Sequence, residues 1–338
     1  MADSAKKVLI VGAGSMGLAI GYHLVASGTE VTFLVRSHRV PELMRPQVLY
    51  SYDDDTLRTF AQYAVIASPS RIDEQNYDYA VVTLDGAALR DADGMAVAEA
   101  LGRTSRDHGT KIILGSIGMR LKEWFIDAAG IDAGSIVNSS LGIQCYSPEA
   151  ARLPLHTGTS RELLYRADLA YRHCWPFGLV VEDSAPAVAE GFAALYSANA
   201  ESKCVVRPST EFSVMLPTYF PMMAALELLD WPQAGNIDPT TPEWLLGTEA
   251  AREIQGLKIN GRFGQEVKRN TTPEGLAEQW RVWEQDMLPL DLQEFNRYHH
   301  GGKVNRQDRQ LLADCLALGE AEGDPMTALK KLLGRLPV

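Results

Sequence analysis

The residues whose spacing most plainly serves chemistry stand near the N-terminus, in Lys7-Val8-Leu9-Ile10-Val11-Gly12-Ala13-Gly14-Ser15-Met16-Gly17. The glycines have the pattern G-x-G-x-x-G, directly after an apolar run and ahead of Leu18, Ile20, Leu24 and Val25, which recur at helical intervals. This arrangement suits a pyrophosphate. Gly12 makes the tight turn, Gly14 lets backbone approach the anion, and Gly17 lets the helix pack close on the strand. The anion then rests on the helix N-terminus at Gly14, Ser15, Met16 and Gly17, where N–H groups and the helix dipole favour negative charge. Glycines that only shape a turn are the plainer alternative, and the strand and helix on either side argue against it.

The next strand, Glu30 to Val35, ends on Arg36. That is close to the spacing of about 20 residues at which an acidic side chain would bind the ribose hydroxyl of NAD and an arginine would accommodate a 2′-phosphate. The expected cofactor is therefore NADP(H), read by Arg36. Arg39 and Arg45 either add positive potential there or face water.

These residues need a parallel sheet to hold them. Over the first 140 residues, short β-branched runs (Val8 to Val11, Val31 to Val35, Tyr63 to Ala67, Tyr79 to Leu84, Ile112 to Leu114, Ser135 to Asn138) alternate with helical patterns at Ser15 to Ala26, Gly86 to Gly102 and Arg120 to Ala129. The expectation is α/β then all-α: a Rossmann-type doubly wound sheet followed by a helical C-terminal domain. From Leu141 to Pro186 the pattern is irregular and reads as a few antiparallel strands or a linker. Beyond it the helical stretches include Val188 to Glu201, Val214 to Leu229, Pro273 to Met287 and Gln307 to Glu320. The domains are set at 1–185, for the cofactor, and 186–338, for substrate or dimerisation.

Composition narrows the function further. The 338 residues are 46% hydrophobic and 22% charged, as in a folded globular protein, with length for about two domains. A net charge of −11 argues against nucleic acid and anionic membrane as partners and leaves a small-molecule substrate. No apolar stretch is long enough to span a bilayer, and Met1 to Lys7 lack a secretory cleavage pattern, so the expected location is cytoplasmic. Cys145, Cys174, Cys204 and Cys315 are scattered, with no C-x-x-C pair, and indicate neither metal site nor disulfide framework. Trp231, Trp244, Trp280 and Trp283, with Tyr219, Phe220, Met215, Met222 and Met223, gather in the helical half. They read first as core or as a homodimer interface, and second as the lining of an apolar pocket.

The strand-turn Val8 to Gly17, Arg36, the strand Val81-Val82-Thr83-Leu84, the loop Gly115-Ser116-Ile117-Gly118-Met119 and the late Gln285-Asp286 with Glu294-Phe295-Asn296 together resemble ketopantoate reductases, the NADP-dependent 2-dehydropantoate 2-reductases. The resemblance spans most of the chain and is firm over the first 140 residues and over 285–302. It implies an NADP-dependent oxidoreductase acting on CH–OH, with Leu84 and Ile117 beside the cofactor and Glu294 supporting the substrate. It implies hydride transfer to or from a small carbonyl, hydroxy, imine or amine compound in a cleft between the domains.

The departures fall on the catalytic positions. Asp85 follows the V-T-L strand where the family has lysine, Ile117 replaces an asparagine, and the family's proton-donating lysine falls on Phe212. Reduction of a ketone leaves an alkoxide that must be protonated. Lys203, Glu211, Tyr219, and His299 or His300 are the remaining candidates. Histidine titrates nearest neutrality, although His299 and His300 equally suit the C-terminal end of a helix running to Tyr298 before Gly301-Gly302. Glu294, His299 and Lys203 are the expected catalytic set. A dinucleotide-binding protein without turnover, and a true 2-dehydropantoate 2-reductase with relocated groups, stay open beside the enzyme of altered substrate.

Overall fold

The structure, a computed structural model, describes residues 5–337 apart from the side chains of Met215, Leu216 and Pro217, so the reading of Met215 lies outside the described residues, as do positions 1–4. It divides into two units. Of the described residues, the first comprises 5–152 and 158–207, and the second 153–157 and 208–337.

The first unit is built on a sheet of eight strands. In chain order the strands of the whole unit are β1 (Lys7–Val11), β2 (Glu30–Leu34), β3 (Gln47–Ser51), β4 (Thr56–Phe60), β5 (Tyr63–Ile66), β6 (Tyr79–Val82), β7 (Lys111–Leu114), β8 (Ile136–Leu141), β9 (Ile143–Tyr146), β10 (Leu169–His173), β11 (Leu179–Glu182) and β12 (Cys204–Arg207). The large sheet has the order β12-β11-β8-β7-β6-β1-β2-β5, parallel throughout except where β11 runs against β8. Its two faces follow from strand alternation. Ile10, Phe33, Val81, Ile113 and Val137 meet the Ser15–Ala26 and Pro186–Tyr196 helices on one side. Leu9, Val82, Ile112, Leu114 and Ile136 meet the Ala92–His108 and Leu121–Ala129 helices on the other. Strands buried on both faces read as near-continuous apolar runs, which makes them legible in the sequence.

A second sheet, β4-β3-β10-β9, is not legible in that way. Its β3 and β4 form a hairpin around Asp53, Asp54 and Asp55, the last with φ 54°, and β10 lies parallel to β3 from far along the chain. The stretch of irregular pattern thus supplies β9, β10 and β11. His173 at the end of β10 hydrogen-bonds Asp53 Oδ2 at 2.6 Å through Nδ1 and Ser202 Oγ at 2.9 Å through Nε2, tying this sheet to the approach to β12.

The boundary expected at 185/186 is corrected to 207/208. The Pro186–Tyr196 helix packs on the sheet and β12 pairs with β11, so both belong to the first unit. Leu153–Thr157 belongs to the second unit, where His156 Nε2 lies 3.0 Å from Asp291 Oδ2.

The second unit is helical, with long helices at Ser209–Leu228, Pro242–Gln255, Pro273–Met287 and Asn305–Ala321. The aromatic residues form its core: Trp231, Trp244 and Trp280 are buried with Met222, Met223 and Ile237, while Tyr219 and Trp283 pack against them. No helix among the described residues is long and apolar enough to cross a membrane. All four cysteines are buried, and burial pushes the thiols of Cys174, Cys204 and Cys315 up to about 12, so they stay protonated.

Candidate functional site

At the end of β1 the chain turns through Gly12, whose φ is +100°, a conformation that side chains other than glycine's rarely adopt. Its N–H donates to Leu34 O at 2.9 Å, fixing the turn to β2. Thr83, just after β6, donates its hydroxyl to Val11 O at 2.9 Å and so fixes the other side. Gly17 is obligatory because a Cβ there would stand 2.2 Å from Gly12 O. Gly14 differs: a Cβ on it would meet nothing within 4 Å. Packing within the protein does not require glycine at this position.

The helix that begins here has Gly14 as its N-cap, makes no side-chain cap hydrogen bond, and carries no acidic residue in its first turn. Its positive end is neither capped nor neutralised by local side chains. These features fit a pyrophosphate.

The other expected cofactor residues gather at the same sheet edge. Leu84 Cδ2 flanks Gly12, at 3.5 Å from where a Cβ on that glycine would sit. Ile117 O comes within 2.8 Å of the corresponding point on Gly86, so the loop after β7 lies on the segment after β6. Met16 reaches the same loop, with Cε 2.7 Å from the Cβ position of Gly115. Arg36, just past β2, is 63% exposed at its side chain, and its ion pair with the still more exposed Asp93 is 4.0 Å long. Such a contact holds an arginine weakly. Arg39 turns back toward the glycines and donates from Nη2 to Ala13 O at 3.4 Å. Arg45 is bidentate with Asp168 and is a structural residue.

The expected catalytic residues are placed differently. Lys203 lies in the first unit, not in the helical one, and donates from Nζ to Ser197 O at 2.9 Å and Asn199 O at 2.8 Å. It closes the C-terminal end of the Pro186–Tyr196 helix, where a cation satisfies free carbonyls. Glu294 lies in the first turn of the Leu292–Tyr298 helix. Its N–H donates to the capping Asp291 Oδ1 at 3.0 Å, and its Oε1 is 3.4 Å from Arg297 Nε. His299 is half-buried, its ring stacked on Phe295 at 5.3 Å, and desolvation lowers its pKa to about 3. It is neutral at physiological pH and packs on its aromatic neighbours.

The break expected at Gly301-Gly302 is absent. The chain continues from Tyr298 into a π-helix, His299–Lys303, and then the Asn305–Ala321 helix. Gly301 allows this because the Trp231 ring packs there, with Cζ2 3.0 Å from the position a Cβ would take. The wide turn aims His300 at Asp308, Nδ1 to Oδ2 at 2.7 Å, inside the unit. Burial drives His300 down and Asp308 up, the latter reinforced by the nearby negative charge of Glu227. Nothing in the sequence singles out Asp308, since its pairing depends on the extra residue in the π turn.

Phe212, at the position where the family's lysine falls, is buried, and Tyr219 stacks on Trp280 at 5.4 Å. Asp85, which also replaces a lysine, caps the Gly86–Leu89 helix by accepting from Ala87 N and Ala88 N, so its carboxylate is held by structure.

Among known proteins, the family described as ketopantoate reductase PanE/ApbA has a profile that residues 8–105 match. The 2-dehydropantoate 2-reductase of Geobacter metallireducens GS-15 has the same fold, with a TM-score of 0.64 at 18% identity over 97% of this chain and 98% of that one. The chain has the fold of these reductases. A PanE/ApbA family ketopantoate reductase from Ralstonia eutropha JMP134 is similar at TM-score 0.65 and 16% identity, covering 97% and 96% of the two chains. D-mandelate dehydrogenase, in a structure with NADH, matches with a TM-score of 0.63 at 12% identity over 97% and 96%. No curated protein matches in sequence. The fold of the reductases therefore extends over 97% of the chain, whereas the family sequence is matched only over residues 8–105.

Proposed function

We propose that the chain is an NADP(H)-dependent oxidoreductase that transfers hydride to or from a small carbonyl, hydroxy acid, imine or amine compound. The observation that carries this reading is the uncapped helix end behind Gly14, open to a ligand, with the weakly held Arg36 at the end of the next strand. Gly14 to Gly17 would hold the pyrophosphate through backbone N–H groups, and Arg36 would pair with the 2′-phosphate. Leu84 and Ile117 would border the remainder of the cofactor at the edge of β6 and β7. The bound cofactor supplies the hydride.

A second reading, an NADP(H)-binding protein without turnover, is favoured by the engagement of the donor candidates. Lys203 is engaged by carbonyls, His299 is stacked on Phe295 and neutral, and Glu294 faces Arg297. The test separates the two. NADPH oxidation is followed with a panel of 2-oxo acids, 2-dehydropantoate among them, and NADP reduction with hydroxy acids and amino acids. Turnover with at least one compound is expected. Tight NADPH binding with no turnover across the panel leaves the binding-protein reading in its place.

A further inference from the structure

Beyond the glycine turn, Ser139 is one of several buried polar groups in the first unit without a partner, and it is the one whose place in the sheet suits the cofactor. Ser139, in β8, is 2% exposed, and its hydroxyl has no hydrogen-bond partner. A buried hydroxyl without a partner costs on the order of 1–3 kcal/mol relative to a satisfied one, so such a group calls for an explanation.

Position supplies one. β7 ends at Leu114, opposite Asn138, so Ser139 lies one residue past the end of β7, at the C-terminal edge of the sheet. Val137, two residues earlier, packs on the same side as the Ser15–Ala26 helix, and strand alternation turns Ser139 to that side as well. Independent geometry agrees. A Cβ on Gly115 would stand 3.4 Å from Ser139 Oγ and 2.7 Å from Met16 Cε, so the hydroxyl borders the same small space as a side chain of the glycine turn. The side chain sharing that space is a methionine, unbranched and easily displaced. Ser116, the residue after Gly115, also has an unpartnered hydroxyl, but it lies in the loop past β7, outside the strand register that places Ser139.

The direction of a bound dinucleotide follows from strand order. With Arg36 at the end of β2 and the pyrophosphate above β1, the second nucleotide must extend away from β2, past β6 toward β7 and β8. We infer that Ser139 is a positioning residue for the nicotinamide, its hydroxyl hydrogen-bonding the carboxamide, once that group takes the space held by Met16. A carboxamide suits the site because it both donates and accepts, as a hydroxyl does. The bond fixes the ring's rotation and so which face of C4 is turned to substrate. This role for Ser139 rests on the cofactor reading proposed above.

The test compares Ser139→Ala with the unaltered chain in binding titrations of NADPH and of 2′-phospho-ADP-ribose, which keeps the phosphates and lacks the nicotinamide. Loss of the hydroxyl should weaken NADPH about tenfold, as for one good hydrogen bond, and leave 2′-phospho-ADP-ribose unchanged. The melting temperature of the ligand-free variant should hold or rise, since the hydroxyl has no partner to lose. Equal weakening of both ligands, an unchanged NADPH affinity, or a fall in melting temperature would overturn the inference alone. Failure of the unaltered chain to bind either ligand would instead remove the cofactor reading and the role of Ser139 with it.

Discussion

Two glycine-bearing segments of this chain, Gly12 to Gly17 and Gly301-Gly302, look alike in the sequence and do opposite work. At Gly14 the missing side chain leaves space that no protein atom occupies, beside an uncapped helix end. At Gly301 the missing side chain admits the Trp231 ring, while Gly302 beside it is exposed. The histidines beside Gly301 share its fate. His299 stacks on Phe295 and His300 binds Asp308, so polar groups that read as chemical are consumed by structure. Open space alone does not mark a binding glycine, since a Cβ on Gly302 would also meet nothing within 4 Å; at Gly14 the open space coincides with an uncapped helix end.

The largest effect that would break this contrast is expected at Gly14. Gly14→Asp places a good N-cap on the helix and a negative charge where the pyrophosphate should sit. NADPH affinity should fall by at least about a hundredfold, ~2.7 kcal/mol, with the melting temperature unchanged or raised. Calorimetric titration and thermal melts check both, and an unchanged affinity would place the dinucleotide elsewhere. The converse is expected at Gly301. Gly301→Ala forces a methyl against the Trp231 ring and should cost about 1–3 kcal/mol of stability in urea unfolding, with NADPH affinity unaltered.

A smaller effect sharpens the comparison through pH. His299 has a folded pKa of about 3, below its unfolded value of about 6.5. Between these values the unfolded chain binds a proton that the folded one refuses, so this contribution is intact above about pH 6.5 and is lost as pH falls toward about 3. His299→Phe keeps the ring stack and removes the titration. Urea midpoints from about pH 7 to about pH 4 should fall less steeply in the variant, by at most ~1.4 kcal/mol per pH unit, with little difference above about pH 7. An unchanged slope would mean that His299 is not held neutral.

The same contrast explains what the residues alone make legible. β1, the Ser15–Ala26 helix and β2 are legible because their determinants are local: an apolar strand, three glycines at fixed spacing, a helical period. The hairpin of β3 and β4 does carry a signal, since Gln47-Val48-Leu49-Tyr50-Ser51 and Thr56-Leu57-Arg58-Thr59-Phe60 flank an Asp53 to Asp55 turn, but it is weaker than the glycine pattern and easily passed over. Pairing of β3 with β10 has no local mark, since the partners lie far apart in sequence. The domain boundary shifts for a related reason: Pro186–Tyr196 is helical in pattern, and only the sheet it covers assigns it to the first unit. Lys203 and His299 suggest chemistry that their neighbours deny them, Lys203 by two carbonyls and His299 by Phe295. Ser139 is invisible in the sequence, because only the structure shows that its hydroxyl is buried and unpartnered.

The central claim, that the glycine turn and Arg36 together hold NADP(H), is tested most directly by titrating NADPH and NADH into the unaltered chain and into Arg36→Glu. The unaltered chain should bind NADPH more tightly than NADH, and the variant should lose at least about tenfold for NADPH, ~1.4 kcal/mol, while NADH changes little. Equal affinities for the two cofactors that Arg36→Glu leaves untouched would contradict it.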